Sequence, residues 1–447
     1  MSYEKWSAGY WLLRKYVWFV DRMIHRRIIV VGRENIPKDK PIIFAPNHQN
    51  ALSDPIAVLT NVAHQPVWLA RADIFGKSPV IDSILKFLKI MPVYRSRDGL
   101  ENLEKNDLTF SSSIKVLENN AALALFPEGA HSSKRQILPH KKAVPRIAFM
   151  AGEKSEGRLD THIIPTGIYY SSYWKFNRSL IVNFGEAIKV KEYYKQYAEE
   201  PQAAIRSLKD KLYDATLPLI INIRSQKHYD DFENITSVYG RHFLEQNKQD
   251  YSYLNLFKSN QLLARKLDEL EDKDSDKTDS IVVKAREYLS AFKKLKIKSR
   301  LVDAGQTYFW SFVLKSLLLI VSAPLFILGF IFNALPFFSV DWLARTRIKD
   351  SSFRSSVAFV TSLIIFPLFY LLEFAVVASL IPSPWLKLLF IISLPFAGKF
   401  AFQWYILLRK TAGTFRLFRL KYFKPERFNQ LLNQKEELFQ LLDKELV

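Results

Sequence analysis

The chain has 447 residues, carries a formal net charge of +20 and contains no cysteine. Disulfides, thiolate zinc sites and a cysteine nucleophile are therefore excluded. So basic a chain expects an anionic partner: nucleic acid, an acidic membrane surface or phosphorylated small molecules.

The first 25 residues predict an amphipathic helix. Trp6, Tyr10, Leu13, Val17, Val20 and Ile24 recur at spacings of three and four, while Arg14, Asp21 and His25 share a narrow opposite face. With Trp11 and Trp18 added, the helix either lies in a bilayer interface or packs its stripe on the protein's own core. Arg14 and Lys15 interrupt the apolar stretch and no small-residue cleavage site follows, so it does not read as a secretory signal.

Residues 26–225 alternate short β-rich runs with helical stretches. The runs are RIIVV (27–31), PIIFAP (41–46), PVWLA (66–70), IMPVY (90–94), AALALF (121–126), HIIPTGIYY (162–170) and SLIVNF (179–184). Helical spacing lies between them at 77–89 and 100–118. The alternation predicts an α/β domain, a sheet flanked by helices.

Residues 226–310 are charged and helix-favouring and predict helical pairs. The very polar stretch 271–279 has no apolar residue to bury and predicts an exposed loop.

Residues 311–410 have the texture of a membrane region. Ser316–Val340 is a run of 25 residues without formal charge, Ser355–Leu372 one of 18, and Leu388–Gly398 and Phe400–Leu408 are separated only by Lys399. Runs of this length predict spanning helices. All three flanking segments are rich in Lys and Arg, which places each on the cytoplasmic side. On that reading the first run turns back as a re-entrant hairpin at Pro324, Gly329 and Pro336, and the other two form a hairpin with its tip at Pro382–Pro384. Three single spans are the alternative. Residues 411–447 read as a cytoplasmic helical tail.

Four short constellations sit in order within 26–225. In NHQNALSDP (47–55), His48 and Asp54 follow a strand. A histidine held by a carboxylate can take a proton from a hydroxyl, although such a pair can equally be a structural hydrogen bond. In PVYRSRDG (92–99), Arg95 follows a strand at the sheet edge where ligands of α/β folds gather, and its guanidinium can grip a phosphate. In LFPEGAHSS (125–133), Pro127 and Gly129 build a tight turn presenting Glu128. Downstream, LPHKKAVPRIA supplies Lys141 and Arg146 at a helix start, and in IIPTGIYY Pro165 ends a buried strand.

In this order the four motifs resemble the glycerophospholipid acyltransferase family over about residues 28–220. That family carries a His-x4-Asp motif, a motif ending in Arg, an FPEG motif and a final Pro motif. Three features depart from the pattern: five residues, not four, separate His48 from Asp54; Ala130 stands where Thr or Ser is usual; Ala143 replaces a Gly. The five-residue gap, a helical insert and a C-terminal membrane region are similar to the glycerol-3-phosphate/dihydroxyacetone-phosphate acyltransferase branch.

The resemblance implies direct transfer of a fatty acyl group, in phospholipid synthesis, to glycerol 3-phosphate or 1-acylglycerol 3-phosphate. The donor would be the thioester of acyl-CoA or acyl carrier protein, a co-substrate rather than a cofactor. His48 would act as general base and Asp54 would orient it, with backbone N–H groups stabilising the oxyanion. Arg95 and Lys141 would hold the acceptor phosphate at the Gly129 turn, and Glu128 would position the glycerol hydroxyls. No G-x-S-x-G elbow occurs, so no acyl-enzyme is expected. The remaining histidines show no metal-ligand spacing, and no nucleic-acid module is recognisable. The expected location is integral to a membrane with the catalytic domain on the cytoplasmic face. The competing readings are a non-catalytic lipid-binding membrane protein with an acyltransferase-like domain, and a lysophospholipid transacylase.

Overall fold

The computed structural model describes residues 3–94, 105–297, 299–304, 308–348 and 351–447. They form two compact units: Met1–Ile220 with Ala344–Val360, and Ile221–Leu343 with Thr361–Val447.

The first unit is built on an eight-stranded sheet. Its strands are β1 (His25–Val31), β2 (Ile42–Pro46), β3 (Val67–Arg71), β4 (Ile90–Val93), β5 (Ala122–Ala124), β6 (His162–Tyr170), β7 (Arg178–Phe184) and β8 (Ile188–Lys189). The order is β1-β7-β6-β2-β5-β3-β4, with β8 paired to β6. The pairs β1/β7, β6/β2, β2/β5, β5/β3 and β3/β4 are parallel, and only β6/β7 and β6/β8 are antiparallel. This is the mixed α/β layer that the sequence predicts. The central strands read as unbroken apolar runs because both faces are covered. Ile43, Leu123 and Ile163 pack into one core cluster, and Ile42, Phe44 and Ile164 into the other.

Among the described residues, seven α-helices belong to the amino-terminal part of this unit: α1 (Ala8–Ile24), α2 (Ser53–Leu59), α3 (Pro79–Phe87), α4 (Lys105–Glu118), α5 (Ala143–Lys154), α6 (Tyr194–Glu199) and α7 (Pro201–Thr216). The face of α1 turned to the protein includes the apolar stripe, with Leu13, Val20 and Ile24 half-buried beside Tyr10 and Val17, but it is wider than the spacing suggests. Asp21 and His25, expected on the polar side, are buried together with Tyr10 and Val17, whereas Trp6, Trp11, Leu12 and Trp18 are exposed. Polar partners select this orientation. Arg14 donates to the carbonyls of Val62, Ala63 and His64, and His25 Nδ1 lies 3.1 Å from Asp21 Oδ1. A helix that satisfies buried polar groups by such contacts leaves its aromatic side free for another phase.

The second unit contains α8 (Tyr229–Gln246), α9 (Tyr253–Lys273), α10 (Ser275–Leu295), α11 (Tyr308–Arg347), α12 (Ser351–Val377, its first turns in the other unit), α13 (Pro384–Phe423) and α14 (Pro425–Leu446). The loop expected at 271–279 is reduced to a corner at Asp274. The Asp274 carboxylate accepts the Lys277 N–H as an N-cap, which lets α10 start at once. The C-terminal helix packs back on this region: Asp443 accepts from Tyr239 and lies 3.0 Å from His242 Nε2.

Among the described residues, three helices are long and apolar enough to cross a membrane, within Phe309–Arg347, Phe353–Val377 and Pro384–Phe423. The first corrects the re-entrant expectation, since α11 runs unbroken from Tyr308 to Arg347 with Pro324 and Pro336 inside it. A proline in an apolar helix removes one backbone bond, which neighbouring helices and local adjustment can compensate. Here α11 packs antiparallel along α13, with Phe312 against Phe415, Gly329 against Ala397 and Asn333 against Gly398. Asn333 donates to the Gly329 and Leu394 carbonyls and accepts from Tyr370, a polar tie joining all three helices.

Gly167 in β6 leaves room for the Leu219 carbonyl, which a Cβ there would meet at 2.3 Å. Gly167→Ala is therefore expected to lower stability by about 1–3 kcal/mol through overpacking, read as a shifted denaturation midpoint with an unchanged slope.

Candidate active site

The candidate residues gather beyond the carboxyl ends of two neighbouring parallel strands, β2 and β5. In open α/β sheets that edge is where ligands bind. Asn47 ends β2 by behaving as a piece of strand. Its side chain accepts the Ile168 N–H at 2.7 Å and donates to the Ile168 carbonyl at 3.3 Å. The next residue, His48, is thereby fixed at the sheet edge.

His48 Nδ1 lies 2.9 Å from Asp54 Oδ2. The same oxygen accepts the N–H groups of Gln49 and Asn50, each at 2.7 Å. Asp54 sits fully buried in the first turn of α2, where the helix dipole also favours a carboxylate. The imidazole is partly exposed, its side chain 18% accessible, so Nε2 can face a substrate.

The fifth intervening residue is absorbed at Ala51, which takes φ +40°. This left-handed kink and the Ser53 N–H on the Asn50 carbonyl at 2.9 Å fold the extra length into a turn. Asp54 therefore reaches His48 although the spacing departs from the usual motif.

The FPEG turn supports His48 from beneath. Phe126 stacks on the imidazole with ring centroids 3.7 Å apart and planes 11° from parallel, and Trp68 stacks on Phe126. Gly129 takes φ +65° and closes the turn by donating to the Phe126 carbonyl. Lys141 is exposed and donates its backbone N–H to the Pro127 carbonyl at 2.7 Å, its stem lying over Gly129. The Ser132 N–H reaches the His48 carbonyl at 3.1 Å, tying the two loops together.

Glu128 differs from its expected role at the acceptor hydroxyls. It is 2% exposed, and its two oxygens accept the backbone N–H groups of His48 at 3.1 Å and Leu138 at 3.3 Å. The geometry makes it a strut between loops rather than a surface for ligand. Burial pushes its carboxyl up to about 8, the two backbone bonds pull it down, and the charge of Asp54 raises it further.

His48, Asp54, Glu128, Gly129 and Lys141 are thus brought together, while Arg95 lies outside the described residues. Sequence reading missed Phe126 as the ring beneath His48, although it belongs to FPEG. It also missed His131, whose ring centre is 5.5 Å from that of His48. Arg178 had no sequence signal at all. Buried and stacked on Tyr170, it donates to Ser53 Oγ at 3.2 Å beside Asp54.

Residues 27–169 match the family model described as Acyltransferase, so the chain carries an acyltransferase-family domain. It is similar to the 1-acyl-sn-glycerol-3-phosphate acyltransferase of Borreliella burgdorferi, 25% identical over 164 residues, 37% of this chain and 59% of that one. It is also similar to glycerol-3-phosphate O-acyltransferase 2 of Saccharomyces cerevisiae, 24% identical over 137 residues, 30% of this chain and 18% of that one. Each match thus spans less than two thirds of the relative's length. Among solved structures, the 1-acyl-sn-glycerophosphate (LPA) acyltransferase PlsC from Thermotoga maritima aligns with a TM-score of 0.32 and 22% identity, over 45% of this chain and 79% of that one.

The Glu128 carboxyl yields a pH prediction. An unfolded chain ionises it near 4.5 and the folded one near 8, so its contribution is complete below about 4.5 and lost as pH rises through about 8. Glu128→Gln should remove that loss. Thermal unfolding at about pH 5 and about pH 9 should show the wild type falling relative to the variant.

Proposed function

We propose that the chain transfers a fatty acyl group from an acyl-CoA or acyl-carrier-protein thioester to a hydroxyl of glycerol 3-phosphate or 1-acylglycerol 3-phosphate. The observation that carries this reading is the His48–Asp54 pair, 2.9 Å apart beyond the carboxyl end of β2 and beside the FPEG turn. The acceptor hydroxyl bonds to Nε2 of His48 and attacks the thioester carbonyl. His48 takes the proton as the tetrahedral oxyanion forms and returns it to the departing thiolate. Asp54 holds the tautomer that leaves Nε2 free and stabilises the imidazolium. Phe126 fixes the plane of the ring.

Lys141, exposed above Gly129, and Arg95 are assigned to the acceptor phosphate; charge-assisted contacts of this kind favour planar or clustered cations. Glu128 holds the loop that carries His48. The membrane supplies the lipid substrate or receives the product. The exposed tryptophans of α1 favour a catalytic unit seated at the bilayer surface. We place that unit on the cytoplasmic face, where soluble acyl thioesters occur.

The chemistry is tested with the full chain in vesicles, offered glycerol 3-phosphate, dihydroxyacetone phosphate, 1-acylglycerol 3-phosphate and a lysophosphatidylcholine in competition with a radiolabelled acyl-CoA. Acylation of a glycerol-phosphate acceptor is expected. His48→Ala should slow it by roughly two to four orders of magnitude. A variant within a few-fold of wild type would remove the general base, and acylation of lysophosphatidylcholine from a phospholipid donor would favour the transacylase.

The orientation has a clean test because the chain has no cysteine. Lys38, exposed after β1, is replaced by Cys. A membrane-impermeant thiol reagent should label it only after the cells are permeabilised. Labelling of intact cells would put the catalytic unit on the far face.

A further inference from the structure

The His48–Asp54 loop is braced from a segment 300 residues away in the sequence. The amino end of α12, which continues into an apolar candidate span, belongs to the compact catalytic unit as far as Val360. Its contacts converge on the loop. Ser356, 5% exposed, accepts the Leu52 N–H at 2.9 Å through Oγ, and its hydroxyl lies 3.4 Å from the Asn50 carbonyl as donor. Asn50 and Leu52 are the two neighbours of Ala51, the residue held at φ +40°. Ser355 accepts from Arg178 at 3.0 Å, and Arg178 also holds Ser53, next to Asp54. Phe353 packs edge-on against the His131 ring at 4.8 Å, and His131 packs edge-on against His48.

We infer that Ser356 is a positioning residue for acyl transfer and that the first turns of α12 form part of the active-site frame. A non-glycine residue in the left-handed region persists only where its surroundings over-determine it. Ser356 bonds the backbone on both sides of Ala51, and so holds the kink that lets a carboxylate six residues on reach the imidazole. Release of the kink lengthens the turn and moves the Gln49 and Asn50 N–H groups off Asp54 Oδ2. The base then keeps its chemistry and loses its aim. The two serines form a polar notch at the head of an otherwise apolar helix, where burial without a partner would be unfavourable.

This inference rests on the acyl-transfer reading, and its test separates the two. Ser356→Ala in the full chain, reconstituted in vesicles, is expected to lower kcat by roughly ten- to hundredfold, the cost of a displaced catalytic group. KM for the acceptor and donor should stay near wild type, and Ser356→Thr, which keeps the hydroxyl, should recover most of kcat. If Ser356→Ala does not fold, Ser356→Cys, of similar volume and weaker hydrogen bonding, is read the same way. A kcat within about twofold of wild type in the folded variant overturns the positioning role. So does a loss expressed in KM with kcat unchanged, or a Thr variant as slow as the Ala variant. The acyl-transfer reading stands in those cases as long as His48→Ala abolishes transfer; it falls only if the wild-type chain acylates no glycerol-phosphate acceptor.

Discussion

A single carboxylate oxygen organises the site. Asp54 Oδ2 faces one imidazole nitrogen and two backbone N–H groups, so the oxygen that would orient the base also closes the loop on which the base sits. Full burial of Asp54 makes this arrangement demanding. A carboxylate taken out of water is tolerated only where donors replace its hydration, and at Oδ2 three groups within 2.9 Å do so. The loop and the pair therefore form together or not at all. The left-handed Ala51 is a local conformational cost accepted to bring these donors into range.

Around that oxygen lies a second layer of buried polar groups with the same logic. Arg178 is buried at the start of β7 and is held by the Tyr173 carbonyl, the Ser53 and Ser355 hydroxyls, the His25 ring and the face of Tyr170. Burial lowers its pKa, which the nearby acidic groups Tyr170, Asp21 and Asp54 oppose. A fully buried guanidinium is retained where several elements must be placed relative to one another, since each of its donors fixes a direction. Here it joins β1, α2, β7 and the head of α12, and Asp21 extends the chain of contacts into α1 through His25. Burying one side of α1 on these groups is what leaves its tryptophans exposed.

The legible part of the fold was the part governed by local periodicity. Seven of the β-rich runs became strands β1 to β7, because fully covered parallel strands are short unbroken apolar segments with nothing else to become. Only the two-residue β8 was too short to register. His48, Asp54, Glu128, Gly129 and Lys141 were recognisable as candidates because they lie in the connections that follow β2 and β5. What escaped depends on distant partners. The burial of Asp21 and His25 requires Arg178, and the role of Glu128 as a strut requires Leu138. The unbroken α11 requires α13 alongside it, which no inspection of Pro324 and Pro336 reveals. The corner at Asp274 was a different failure: its polarity signals a helix cap as readily as a loop.

The spacing between His48 and Asp54 shows how a motif can change while its geometry is kept. A strand end fixes His48, and a helix start fixes Asp54, so the residues between them are free to vary only in how they turn. One added residue lengthens the chain by up to about 3.3–3.6 Å, more than a hydrogen bond can absorb. The length must be lost in a sharper turn, and the left-handed region provides one at the price of strain for any residue but glycine. Alanine rather than glycine at position 51 means the turn is not relaxed by the residue itself. Its stability has to come from outside the loop: from Asp54 on one side, and from the hydroxyl of Ser356 and the guanidinium of Arg178 on the other. A longer motif thus requires a better-supported loop, and the part of that support given by Arg178 and Ser356 comes from outside residues 27–169.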